Sequence, residues 1–370
     1  MPDPSSVNFS SCATAVDSAA PQHPQGFCSV TSAPKNNEVA ALIGDHSQLG
    51  FTFGDLTSDT VLSSYSVDDV HQATMDILKD FGLKSAKEFA ACAVGVYPHL
   101  SFSSLVLANT FHVYLWLLDD QFDNPKVPAE LSQQLMTESV NGLKDPQTVT
   151  HPICKLGLYL LKQFKHPLLR TFLTQELALY YEGVREHLMW ENSSKVCTTD
   201  YTHRLISSTC ITTVVTTVTV STVLKVDEFV RIRMKDGAVR AALPLAFQDV
   251  DDFTPYYRYF YSEAGKTSFE LANKNICFVN DLHSNRSRDV VEQSTFNIVN
   301  SHMAEYQLTR EESMKRIVED CNRYYHELST YHDDLGITKA LLRWCEGSMR
   351  WHREAARYKE TRTASAEVKI

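Results

Sequence analysis

From Ser66 onward, apolar and polar residues alternate with a helical period. In Val67-Asp68-Asp69-Val70-His71-Gln72-Ala73-Thr74-Met75-Asp76-Ile77-Leu78, Val70, Met75 (or Thr74), Ile77 and Leu78 fall near one face, and Phe81-Gly82-Leu83 supplies a glycine stop. Similar patterning predicts helices over about 101–120, 128–143, 152–164, 167–192, 226–246, 267–291, 309–330 and 336–358. Short connections holding Pro, Gly, Asp or Asn separate them. One stretch breaks the pattern. Ile211 to Val223 is dense in Thr and Val, whose branched side chains favour extended backbone, so 195–224 is expected to be an irregular insertion.

Residues 1 to about 45 are rich in Ser, Ala, Pro and Asn and poor in large apolar side chains, so they cannot offset the entropy of ordering. The expected organisation is a disordered N-terminal extension over 1–50, one all-α domain over 51–362 and a flexible tail over 363–370. No internal repeat or Pro-Gly linker interrupts the interior.

Composition narrows the function. The chain has 370 residues, 43% of them hydrophobic and 10% aromatic, enough to build a sizeable core. Its net charge of −10 argues against a nucleic-acid partner held through phosphates, and no apolar run approaches the ~18–20 residues of a membrane-spanning helix. Nine cysteines lie singly, without a CxxC pair, and read as reduced thiols. With no secretory-type leader at Met1-Pro2-Asp3, a cytoplasmic location is expected.

The chemistry concentrates in two patches. Trp116-Leu117-Leu118-Asp119-Asp120-Gln121-Phe122-Asp123 ends an apolar run with three carboxylates, and Asp119 and Asp123, four residues apart, stack on one side of a helix. Taken alone, such a cluster also reads as a solvated helix end. The apolar run from Phe102 to Leu118 favours a ligand, because carboxylates at the rim of a buried helix are costly unless compensated. Hard oxygen donors of this kind suit Mg²⁺. The second patch, Asn280-Asp281-Leu282-His283-Ser284, follows Ile276-Cys277-Phe278-Val279 and sets Asn280 and Ser284 on one face.

Together these patches resemble the two metal motifs, DDxxD and Asn-Asp-x-x-Ser, of class I terpene synthases of the microbial type. Phe229 to Gly237 is similar to that family's diphosphate-sensing segment, with Arg233 followed by a linker Asp236 and an effector Gly237. Trp351 to Tyr358 is similar to its C-terminal W-x5-RY element, with Gly347 four residues ahead, and Tyr97-Pro98 also matches. The resemblance implies a single-domain α-helical bundle around a deep cavity with both metal motifs at its mouth. It implies three Mg²⁺ ions, replaceable by Mn²⁺, ionisation of a linear farnesyl or geranylgeranyl diphosphate, and cyclisation of the cation. By the same resemblance Asp119, Asp120, Asp123, Asn280 and Ser284 hold metal, and Arg233, Arg288, Arg357 and Tyr358 hold diphosphate. Helical spacing makes His112, Leu115, Trp116 and Trp351 cavity candidates, and neither His112 nor His283 receives a ligand role. Homodimers are common in the family, but no interface is legible here.

One departure matters. The family carries an acid eight residues after the Asn, where this chain has Arg288; the acid is Asp289. Nine residues rotate a side chain roughly 180° in a regular helix, so a bulge at 285–288 is expected if Asp289 is the third ligand. Two competing readings remain: a chain-elongating isoprenyl diphosphate synthase, disfavoured because Asp249-Val250-Asp251-Asp252 lacks DDxxD spacing, and an inactive binding protein on the same fold.

Overall fold

The helices begin where the sequence supplies caps. In α1 (Val67–Lys79) the Ser66 side chain accepts from the Asp69 amide, Asp68 and Asp69 sit in the first turn, and Val70, Thr74 and Leu78 turn inward. The computed structural model describes residues 50–53, 63–122, 127–208, 223–285 and 295–355, with 129 and 192–208 as backbone only. Apart from Gly50, the expected N-terminal extension and the C-terminal tail lie outside the described residues.

The elements after α1 are α2 (Lys87–Val96), α3 (Phe102–Phe122), α4 (Ala129–Gly142), α5 (Pro152–Gln163), α6 (Pro167–Ser208), α7 (Val226–Asp236) and α8 (Val239–Ala242). There follow α9 (Thr254–Tyr261), α10 (Glu263–Ser284), α11 (Ile298–Tyr306), α12 (Arg310–Ser329) and α13 (Ile337–Glu354). Among the described residues there is no strand, and no helix is long and apolar enough to cross a membrane. All of them belong to one compact unit, Asp45–Ile370.

Two helices organise the interior. Helix α3 is buried almost all round, from Leu105 to Leu115, and packs on α1, α2 and α5. Its first turn is held by Asp249, whose carboxylate accepts from the Ser101 amide at 2.6 Å and the Ser101 hydroxyl at 3.1 Å, and from the Ser104 hydroxyl. Helix α10 starts on a Ser262 cap and packs against α12 and α13. Helix α13 closes back on α2, where Gly347 meets the backbone of Gly95.

The structure corrects several expectations. The predicted helix over 226–246 breaks after Asp236: Gly237 caps α7, Ala238 takes the left-handed conformation (φ 55°), and α8 runs into a 3-10 turn, Leu243–Phe247. Gly237 is a poor helix former and Pro244 lacks the amide that a continuous helix needs there. Helix α6 runs through the start of the expected insertion as far as Ser208; the rest of that stretch, 209–222, lies outside the described residues. Helices α2, α9 and α11 escaped the periodicity, α2 because Phe89 to Val94 is an unbroken apolar run and α9 because five of its eight residues are tyrosine or phenylalanine.

A methyl group on Gly347 would stand 2.7 Å from the Gly95 carbonyl oxygen, whereas one on Gly95 meets nothing within 4 Å. Gly347→Ala is therefore expected to destabilise the protein by ~1–3 kcal/mol through overpacking. Gly95→Ala should be neutral or stabilising by up to ~1 kcal/mol, since alanine is the better helix former. Denaturant titrations of both variants check this; equal stabilities would refute the close α2–α13 approach.

Candidate active site

A cavity of ≈ 120 Å³ opens between α2, α3, α6, α7, α8, α10 and α13. Helix α3 presents His112, Leu115, Trp116 and Asp119 to it, the spacing of one helical face. Asp119 is half-buried at the end of that face and Asp120, next to it, is exposed. Rings build one wall. Phe89 stacks on Trp116 at 4.0 Å, Trp116 stacks on Trp351 at 5.5 Å, and the Trp351 indole N–H donates to the Glu88 carbonyl at 2.8 Å. Trp344, two helical turns before Trp351, and Tyr180 from α6 complete the aromatic lining.

His112 sits deep on the same face. Its Nε2 lies 2.9 Å from the Tyr97 hydroxyl, which itself donates to the Ala242 carbonyl at 2.7 Å. Burial pulls the imidazole down to about 3, so the ring is neutral in the working pH range.

The polar side of the cavity is built by the end of α7 against α10. Gly183 of α6 permits this placement, because a side chain there would fall 2.5 Å from the Asp236 amide. Arg233 is the centre: its Nη1 donates to Asp236 Oδ1 at 3.1 Å, its Nη2 to Asn280 Oδ1 at 3.0 Å, and its Nε to Asp281 Oδ1 at 3.0 Å. Burial disfavours the charged guanidinium, but Asp281 and Asp236 outweigh that and hold Arg233 well above its ordinary value. Burial likewise pushes the Asp281 carboxyl up to about 6, against the pull of Arg233. His187 Nδ1 approaches the other oxygen of Asp236 at 3.2 Å.

Of the residues singled out in the sequence, Asp119, Asn280, Arg233, Asp236, Gly237, Leu115, Trp116 and Trp351 all line this cavity. Asp120 and Ser284 are not among its lining: the first is exposed and the second is buried one turn beyond Asn280. Asp123, Arg288, Asp289, Arg357 and Tyr358 lie outside the described residues. So does most of the expected bulge. Helix α10 remains regular through Asn285, whose amide donates to the Asp281 carbonyl at 2.9 Å. Sequence reasoning missed Trp344, Tyr180 and His352 as lining residues; only the seven-residue interval between Trp344 and Trp351 signals the first.

The donor set fits a hard divalent cation. Among the lining residues Asp119 carries a carboxylate and Asn280 an amide oxygen, with Asp120 adjoining, while the Asp236 carboxylate is engaged by Arg233. Cys277, in the same wall, has its thiol pushed up to about 12 by burial and offers no thiolate to a softer metal. Among the described residues no group of three or more His, Cys, Asp or Glu could hold an ion, so a metal here needs amide or hydroxyl oxygens, or residues beyond those described.

Residues 110–327 match the family model described as terpene synthase family 2, C-terminal metal binding, and the chain belongs to that family. Its structure is similar to linalool/nerolidol synthase from Streptomyces clavuligerus, with a TM-score of 0.60 and 16% identity over 80% of this chain and 99% of that one. The same enzyme in complex with 2-fluorogeranyl diphosphate gives 0.59 and 18%, over 82% and 100%. Cucumene synthase matches at 0.56 and 14% identity, over 81% of this chain and all of the other. At these identities the likeness is one of fold, the all-α class I terpenoid synthase bundle. No curated protein matches the chain by sequence.

Removing Arg233 would leave two buried carboxylates without their cation. Arg233→Ala is expected to cost roughly 3–5 kcal/mol of stability. The sign of its pH dependence follows from Asp281, whose folded-state value is raised from 3.8 to about 6. Such a group stabilises the fold while protonated and loses that contribution as pH rises through its folded value. Without Arg233 the value rises further, so the deficit should widen between pH 5 and 7. Urea midpoints across that range check it, and a pH-independent deficit would contradict the buried pair.

Proposed function

We propose that this family member is a Mg²⁺-dependent class I terpene synthase that ionises a linear isoprenyl diphosphate, farnesyl or geranylgeranyl, and cyclises the resulting cation to a sesqui- or diterpene. The observation that carries the reading is that Asp119 of α3 and Asn280 of α10 line one cavity together with Arg233 and a wall of indole rings. Asp119, Asp120, Asp123, Asn280, Ser284 and Asp289 are the proposed holders of the divalent ions, three in number, with Mn²⁺ as a substitute. Bound divalent ions supply charge neutralisation for a leaving diphosphate.

The chain's own side chains do the rest. Arg233 is the proposed guanidinium contact to phosphate oxygens, and Arg288, Arg357 and Tyr358 are proposed to join it. Its ion pairs hold it at the cavity edge, and Asp236 and Gly237 link its position to α8. Leu115, Trp116, Trp344 and Trp351 exclude water from the developing cation, and the indole faces stabilise positive charge. Neutral His112 adds no competing charge to that apolar end.

One feature bears on the chain-elongation alternative, which needs a second carboxylate-rich diphosphate site. Asp249, the first acid of 249–252, is engaged with Ser101 and Ser104 at the start of α3 and does not line the cavity. That supports a single-diphosphate enzyme. The complex of the similar Streptomyces clavuligerus enzyme with 2-fluorogeranyl diphosphate is a further support.

Purified protein incubated with Mg²⁺ and ten-, fifteen-, twenty- or twenty-five-carbon diphosphates is expected to release cyclic products from the fifteen- or twenty-carbon substrate, read by gas chromatography. In parallel incubations that also contain the five-carbon isopentenyl diphosphate, longer diphosphates would indicate elongation, and no turnover in either series would indicate a binding protein; either refutes the proposal. Asp119→Ala and Asn280→Ala should each lower kcat by on the order of 10²–10³, the scale for losing one transition-state contact. Undiminished turnover in either variant would refute the metal assignment.

A further inference from the structure

An asparagine is an ambiguous metal ligand. Its amide has one oxygen and one NH₂ of nearly equal size, and only the oxygen attracts a cation. Something must fix which end faces the cavity. In this chain that partner is His352, the residue after Trp351 on α13.

The tautomer of His352 follows from its neighbours. Nδ1 lies 2.7 Å from the Ser348 carbonyl oxygen, which only accepts, so Nδ1 carries the proton and Nε2 the lone pair. Nε2 in turn lies 3.0 Å from the Asn280 amide nitrogen, which only donates. The other end of the amide confirms the orientation independently. Arg233 Nη2, a donor without acceptor capacity, stands 3.0 Å from the remaining Asn280 atom, which must be Oδ1. A flipped amide would set NH₂ against the guanidinium and oxygen against the imidazole lone pair. The ring has little room to turn, since His352 is 4% exposed and packs edge-on against Trp351 at 4.9 Å.

We infer that His352 is a positioning residue for the second metal motif: it holds the Asn280 amide with its NH₂ on the imidazole and its oxygen on the Arg233 side, where the proposed cation and diphosphate would bind. The relay runs from the Ser348 carbonyl through His352 to Asn280. It also ties α13, which carries the aromatic wall, to α10, which carries the oxygen donor. The inference rests on the proposed metal–diphosphate site and adds a residue to which that reading gives no role.

The test uses binding as well as turnover. Affinity for Mg²⁺ in the presence of inorganic pyrophosphate is measured by titration calorimetry on the wild-type protein, His352→Phe, Asn280→Asp and the double variant. Loss of an orienting partner behind a metal ligand weakens binding roughly 10–100-fold, and His352→Phe should show that loss. In the Asn280→Asp background the same substitution should cost less than about 3-fold, because a carboxylate presents two equivalent oxygens and needs no orientation. A merely structural role would weaken both backgrounds alike, and that outcome overturns the inference. So does wild-type affinity in His352→Phe. If the wild-type protein itself binds no Mg²⁺ and pyrophosphate, the metal reading fails and this inference with it. Should His352→Phe fail to fold, His352→Leu, also without an acceptor, carries the same comparison.

Discussion

The polar half of the cavity depends on one buried cation. Arg233 is ringed by Asp236, Asn280 and Asp281, so the last turn of α7 and the last turns of α10 are joined through a guanidinium. A charge removed from water is costly unless every donor is used. Here Nη1, Nη2 and Nε each have an acceptor, and the two carboxylates keep the group charged against the effect of burial. The cluster thereby holds a positive centre beside Asn280 and within the same hollow as Asp119.

That hollow is divided in its chemistry. Oxygen donors and Arg233 occupy one end, while Trp116, Trp344, Trp351 and a neutral His112 occupy the other. An allylic diphosphate has the same division, with a multiply charged head and a hydrocarbon tail. On the proposed reading the polar end binds what leaves and the aromatic end shelters what remains. The His352 relay crosses the boundary between the two ends, since its helix supplies the indoles and its ring reaches Asn280.

How much of this was legible in the sequence depended on how local the signal was. Asp119 was readable because carboxylates that terminate a helix as apolar as α3 are conspicuous, and Asn280 because it repeats the arrangement on α10. Arg233 was readable only through its spacing to Asp236 and Gly237; its hold on Asp281, forty-eight residues away, is a tertiary fact. His352 carried no sequence signal, because its role depends on a carbonyl four residues back and an amide seventy-two residues away. The break between α7 and α8 was hidden because helical periodicity continues on both sides of Gly237 and Ala238. Helix α2 was missed for the opposite reason: Phe89 to Val94 is apolar without interruption, so no polar position marks a period.

The central claim is that α3 and α10 grip one metal–diphosphate cluster. Anomalous diffraction from crystals grown with Mn²⁺ and pyrophosphate tests it most directly. The account predicts manganese peaks about 2.1 Å from oxygens of both Asp119 and Asn280, the distance scale for small hard divalent ions, bridged by a single pyrophosphate that also meets Arg233. Manganese bound at only one of the two helices, or pyrophosphate seated away from the aromatic cavity, would contradict it.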